Sequence, residues 1–248
     1  MKKQLLLAVA MLVATAGTAQ AQFTAGWSGE ASLTGSQTTG NTDTTDIGLG
    51  LKLNKETDVW RHKFKALADF GRADGVNNKQ RFALGYQIDR DINERLYVYG
   101  NGDYFNDDFG AFQDGYFLGA GLGYKVILPE PVSWNLEGGI GYRNQTEQDL
   151  IDAVTGLVTD GPSTDEVALR GFSDFDWVLN DNVSAYNDTE IIWSSSDTYI
   201  WNEVGITATL AGNLAARASF RVDHHTDAPV GTVNTDTVTR FGIVYTLK

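Results

Sequence analysis

From Trp27 to the end of the chain, apolar and polar residues alternate with a period of two, in segments separated by turn-forming residues. That period places successive side chains on opposite faces of an extended strand. Ile47, Leu49, Leu51 and Leu53 share one face, against Asp46, Gly48, Gly50 and Lys52. Trp60, Phe64, Ala66, Ala68 and Phe70 likewise oppose Arg61, Lys63, Lys65 and Asp69, and the last strand sets Phe241, Ile243, Tyr245 and Leu247 against Arg240, Gly242, Val244 and Thr246. The pattern predicts twelve strands, over 26–36, 44–54, 59–71, 79–90, 95–105, 115–127, 132–143, 165–178, 183–194, 198–210, 214–223 and 237–247. Most are longer than the five or six residues typical of soluble proteins. They match the 9–11 or so that a tilted strand needs to cross a bilayer.

The chain's start gives an address. Lys2 and Lys3 precede an apolar run, Leu5 to Ala16, and the small-x-small triplet Ala19-Gln20-Ala21. This is the pattern of a secretory signal peptide over 1–21, cleaved after Ala21, which leaves 22–248 as one mature domain. The run is too short for a spanning helix of about 20 residues, and no later segment has 18 consecutive apolar residues. A formal net charge of -13 argues against nucleic acid as a partner, since phosphate binding needs clustered Lys and Arg. Cysteine is absent, so an exported chain must be held by packing or by a closed hydrogen-bonded lattice.

A soluble sandwich and a membrane barrel both satisfy simple alternation. The connections separate them. Links at 54–58, 90–94, 128–131, 179–182 and 211–213 are tight, whereas 37–43, 72–78, 106–114, 144–164 and 224–236 are longer and more polar, with 195–197 a short exception. Short turns at one end and long loops at the other mark an outer-membrane barrel. An even strand count returns both termini to the periplasm. Trp27, Trp60, Trp134 and Trp177 fall near the periplasmic ends of their strands and Trp193 near an outer end, as aromatic girdles at two lipid interfaces would. The segment 144–164 reads as an external loop with room for a short helix. The fold expected is therefore all-β: a closed antiparallel transmembrane β-barrel of twelve strands, a monomer in contact with outer-membrane lipids. Closure would pair the last strand with the first.

The segments "WSGEASLTGSQTTGNTDTTDIGLGLKL", "VWRHKFKALADFG", "QRFALGYQIDRDINERLYVYGNGDYFNDDF" and "GYFLGAGLGYKVI" carry a resemblance. Together they are similar to the YdiY-like family of salt-induced outer membrane proteins, a domain of unknown function (481). The resemblance implies a Gram-negative outer-membrane barrel and a link to salt or osmotic stress, and it assigns no substrate or active residue. The C-terminal pattern Arg240, Gly242, Tyr245, Leu247 also resembles the signal read by the barrel-assembly machinery, although it ends on Lys248 rather than an aromatic residue.

Chemistry is sparse. His62 falls on the lipid-facing register, and His224 and His225 begin the last external loop, where adjacent residues cannot both point inward. No catalytic, cofactor-binding or metal-binding residue is expected. The inward register is richer. Asp46, Arg61, Asp69, Arg81, Asp103, Glu137, Arg143, Glu190, Arg217 and Arg221 are expected to line the lumen with nearly matched acids and bases. Lumen-facing Gly48, Gly50, Gly119, Gly121, Gly123, Gly139 and Gly141 would leave room for solute or relieve strain where the barrel bends. The function expected is a narrow porin-like channel or an envelope component. The alternatives are an outer-membrane lipid-modifying enzyme or hydrolase, or a surface receptor or adhesin.

Overall fold

The computed structural model describes residues 26–39, 44–73, 76–128, 130–151 and 155–247, so the leader read over 1–21 and the terminal Lys248 lie outside the described residues. The elements are β1 (Trp27–Thr39), β2 (Thr44–Glu56), β3 (Trp60–Ala73), β4 (Val76–Asp91), β5 (Leu96–Asp107), β6 (Phe112–Ile127), β7 (Val132–Glu147), β8 (Leu150–Ile151), β9 (Val158–Thr159), β10 (Ser163–Asn180), β11 (Val183–Trp193), β12 (Thr198–Ala211), β13 (Leu214–His225) and β14 (Thr235–Leu247). Twelve of them close in the order β1-β14-β13-β12-β11-β10-β7-β6-β5-β4-β3-β2, and β8 and β9 form a separate two-stranded hairpin within the β7–β10 loop. Every pairing in the ring is antiparallel. Closure runs from Gly29 opposite Leu247 to Thr39 opposite Thr237. A ring of this kind leaves no edge strand, so the backbone polar groups of its ladders find partners without water.

All twelve expected strands are present, and several run further than expected at the end opposite the termini. The ladders continue through Gln37 opposite Thr239 and, after a bulge at Gly71/Arg72, through Arg72 opposite Asn77. The expected contrast between tight and long links therefore narrows. Thr226–Asn234 and the β7–β10 connection remain long, and the latter contains the small β8–β9 hairpin.

The outside is apolar. Ile47, Leu118 and Ile140 are each 58% exposed and Phe241 is 65% exposed. Continuous exposure of this kind is unfavourable in water at about 25 cal/mol per Å², and hydrocarbon removes that cost. Trp60, Trp177 and Trp193 are also exposed on this surface. Trp27 packs on His62, with ring centroids 6.5 Å apart, and Trp134 donates through Nε1 to Ser173 Oγ at 3.0 Å. His62 in turn shares a 2.8 Å hydrogen bond with the Tyr86 hydroxyl on the same outer face.

The inward glycines of β6 and β7 do not open the lumen, whereas Gly50 on β2 borders it. A Cβ on Gly123 would overlap the Tyr97 ring, one on Gly121 or Gly139 would meet Tyr99, and one on Gly119 or Gly141 would meet Phe117. The register explains this, because Tyr97 stands directly opposite Gly123 and Tyr99 opposite Gly121. Each ring lies down in the space a side chain would fill, and all three are at most 4% exposed. The glycine wall of β6 and β7 is thus a set of sockets for three aromatic rings carried by β5 and β6. Gly123→Val is expected to lower stability by about 1–3 kcal/mol, the usual cost of overpacking. Gly171→Val, at a position with open space around the missing Cβ, should change it by less than about 0.5 kcal/mol. Urea unfolding of the refolded barrel, followed by tryptophan fluorescence, measures both.

Candidate solute pathway through the barrel interior

The interior encloses a cavity of about 1130 Å³ bordered by residues from every strand of the ring. Its lining extends from Glu56 and Thr57, at the end that carries the termini, to Phe109, Gly110 and Ala111 at the opposite, loop end. Of the residues expected to line the lumen, Arg61, Arg81, Asp103, Arg143, Glu190, Arg217 and Arg221 border this cavity. Asp46, Asp69 and Glu137 are buried against the wall instead. They meet Lys79 at 2.8 Å, Arg240 at 3.2 Å and Arg170 at 2.7 Å respectively.

Several of the interior ion pairs skip strands. Glu30 on β1 takes both Nη atoms of Arg217 on β13 at 2.6 and 2.7 Å, passing over β14. Arg240 on β14 reaches Asp69 on β3 across the closing seam. Glu137 on β7 accepts from Gln87 on β4 and from Tyr97 on β5. Arg170 links Glu137 to Glu190, and Arg61 holds Asp89 and Asp91 while Lys125 holds Asp91 from the other side. Paired and hydrogen-bonded in this way, the buried charges avoid the large penalty of isolated ones. They act as hoops that fix the shape of the ring.

Sequence reading missed the interior aromatics. Guanidinium groups lie over five of their rings: Arg61 over Tyr97, Arg170 over Tyr99 and Phe172, Arg217 over Tyr186 and Arg221 over Trp201, at 4.7, 5.2, 4.9, 5.5 and 4.2 Å from the centroids. Such stacking is favourable when the cation is partly desolvated. Trp201 also donates to Glu190 Oε2 at 2.8 Å. Parity was the available signal, since Tyr199 and Trp201 share a register with Glu203.

A second arrangement missed by sequence sits at the loop end. Asp197, in the β11–β12 link, turns inward and is 4% exposed. Its Oδ2 meets His225 Nδ1 at 2.6 Å and Arg143 Nη2 at 3.0 Å, while Oδ1 accepts from the Asp227 N–H at 3.1 Å. The His225 ring stacks on Tyr199 at 4.7 Å and meets Phe112 at 5.0 Å. The neighbouring serines are engaged elsewhere: Ser194 donates to the Asp197 carbonyl, and Ser195 and Ser196 donate to Glu166. Among the described residues, no three His, Cys, Asp or Glu side chains gather as a metal site would require.

Comparison with solved structures places this architecture among outer-membrane barrels. NanC porin superposes with a TM-score of 0.53 at 11% identity, over 87% of this chain and 98% of that one. The translocator domain of the autotransporter NalP from Neisseria meningitidis gives 0.54 at 11% identity, over 92% and 91%. An outer-membrane channel from Pseudomonas putida F1 gives 0.51 at 11% identity, over 88% and 95%. At these identities the likeness is one of fold. No curated protein sequence matches the chain. Residues 31–247 match the family described as "Protein of unknown function, DUF481", and the chain belongs to that family.

Proposed function

We propose that the protein resides in the bacterial outer membrane as a monomer and works there, without catalysis, as a narrow channel for small hydrophilic solutes. The observation that carries this reading is the cavity that all the ring strands border, from the turns at one end to the loops at the other. Its polar, charged lining inside an apolar exterior suits water within and acyl chains without. Barrels of eight strands are filled by side chains and those of sixteen or more hold open channels, so a ring of twelve accommodates a narrow passage. On this reading β1 begins and β14 ends in the periplasm, and Arg240, Gly242, Tyr245 and Leu247 serve recognition by the barrel-assembly machinery. A role in salt or osmotic stress is carried by the family resemblance alone. The ion-pair hoops favour a second reading, a structural component of the envelope. Recordings from the purified barrel in planar bilayers decide between them: discrete, reproducible openings support the channel, and their absence leaves the structural role.

A further inference from the structure

Most interior charges have an opposite charge in contact, and one level of the barrel departs from that rule. Among the described residues Lys65 has no carboxylate within 4.0 Å of its ammonium group, Lys52 has Glu30 at 3.8 Å, and Asp103, Asp174, Asp176 and Asp188 have no cation within 4.0 Å. The ring order explains their placement. β3 stands half-way around the ring from β11, and β2 half-way from β10, so the two lysines face Asp174, Asp176 and Asp188 from the opposite wall, while Asp103 stands two strands from Lys65 on the lysine side.

The two walls nearly touch. Lys52 Nζ lies 5.6 Å from the Tyr186 ring centroid, and Lys65 Nζ lies 5.7 Å from that of Phe172. Tyr186 and Phe172 belong to β11 and β10, so each lysine stretches across the lumen and rests on an aromatic ring of the acidic wall. Asp188 and Asp174 stand two residues further along the same faces, roughly 7 Å away along the strand. Both lysines act electrostatically on Asp188 without pairing to it.

This level is costly for the fold. Lys52 stands directly opposite Lys65, and Asp174 directly opposite Asp188. Like charges facing each other across a ladder destabilise a sheet. The same chain pairs its charges above and below, so the exception points to use rather than to packing. Asp103, on the lysine side, is held by Asn101, which donates to it at 2.7 Å.

We propose that this belt, with Lys52 and Lys65 facing Asp174, Asp176 and Asp188, is a recognition site for small zwitterionic solutes that carry a carboxylate and an ammonium group. The inference rests on the channel reading and names the solute class for the same pathway. A zwitterion turned across the lumen places its carboxylate at the lysines, drawing them off their rings, and its ammonium group at the aspartates. A neutral solute of the same size gains neither contact. A simple anion or cation gains one and is repelled by the other wall.

The test compares entry of glycine and of its uncharged isomer glycolamide into liposomes containing the full mature barrel, with protein-free liposomes as the blank. The parent protein is expected to favour glycine by roughly fivefold, the value of one charge contact at about 4 Å screened as in bulk water. Lys65→Gln should bring that ratio close to one and move the reversal potential in a KCl gradient toward cation preference. Asp174→Asn with Asp188→Asn should also bring the ratio close to one and move the potential toward anions. A parent barrel that conducts yet passes both isomers alike overturns the zwitterion site and leaves the channel standing. A barrel with no openings at all overturns the channel, and this inference with it.

Discussion

Replacing Asp69 by alanine is expected to cost the barrel about 3–5 kcal/mol, the range for removing one partner of a buried ion pair. Asp69 is fully buried and its Oδ2 lies 3.2 Å from Arg240 Nη2. The pair ties β14 to β3 across two intervening strands at the seam where the ring closes. Without the carboxylate, the Arg240 charge is left with Glu203, 3.9 Å away, as its remaining ion-pair partner among the described residues. That residual contact places the effect toward the lower end of the range. Asp69→Asn keeps an acceptor and should cost less. In the double variant Asp69→Ala with Arg240→Ala the loss should fall short of the sum of the single losses, because no buried charge is orphaned. Urea unfolding of protein refolded into detergent or liposomes measures all four, and refolding in vitro bypasses any effect of Arg240 on cellular assembly. A change below about 1 kcal/mol for Asp69→Ala would show that the seam is held by its ladder alone.

The strands were legible because lipid outside and polar groups inside impose one parity on each of them. Ile47 to Leu53 and Phe241 to Leu247 declare their faces without reference to any neighbour. What parity cannot convey is which side chain lies across the ladder or across the ring. On β5 parity put Tyr97 and Tyr99 on the register of Asn101 and Asp103, but it could not tell which residues of other strands those rings would lie against. Gly121 and Gly123 read as empty space until the register set those rings into them. The strand-skipping pairs, Arg217 with Glu30 and Arg240 with Asp69, join residues 187 and 171 positions apart. Only the closed ring brings them together. Asp197 was hidden for a different reason: the β11–β12 link reads as a short polar turn, and nothing local indicates that its carboxylate folds inward over the mouth.

That inward carboxylate leads to the second large effect. Phe112 on β6 and His225 on β13 belong to strands on nearly opposite sides of the ring, yet their ring centroids are 5.0 Å apart. With Tyr199 stacked on His225, they form a bar across the mouth at the loop end, and Asp197 pins it by holding both His225 and Arg143. Burial pushes the Asp197 carboxyl up, but the hydrogen bond and charge of His225, the Asp227 N–H and the Arg143 guanidinium outweigh it and hold the group well below the usual carboxylate range. A carboxyl lowered on folding stabilises the folded arrangement at pH values above its unfolded value, near 4, and that contribution is lost as the pH falls further, through the lowered folded value. The pin is therefore fully in place at neutral pH and at pH 5, and weakens only in stronger acid. Asp197→Asn removes charge-assisted contacts of about 1.5–3 kcal/mol, which corresponds to an open population raised roughly tenfold or more. Bilayer recordings at pH 7 should accordingly show longer or more frequent openings for Asp197→Asn, and a larger unitary conductance for Phe112→Ala, which removes the bar itself. Acid below about pH 4 should open the parent barrel and leave Asp197→Asn unchanged. Unaltered openings in both variants would mean that solute passes beside the stacked rings and that the bar braces the mouth without closing it.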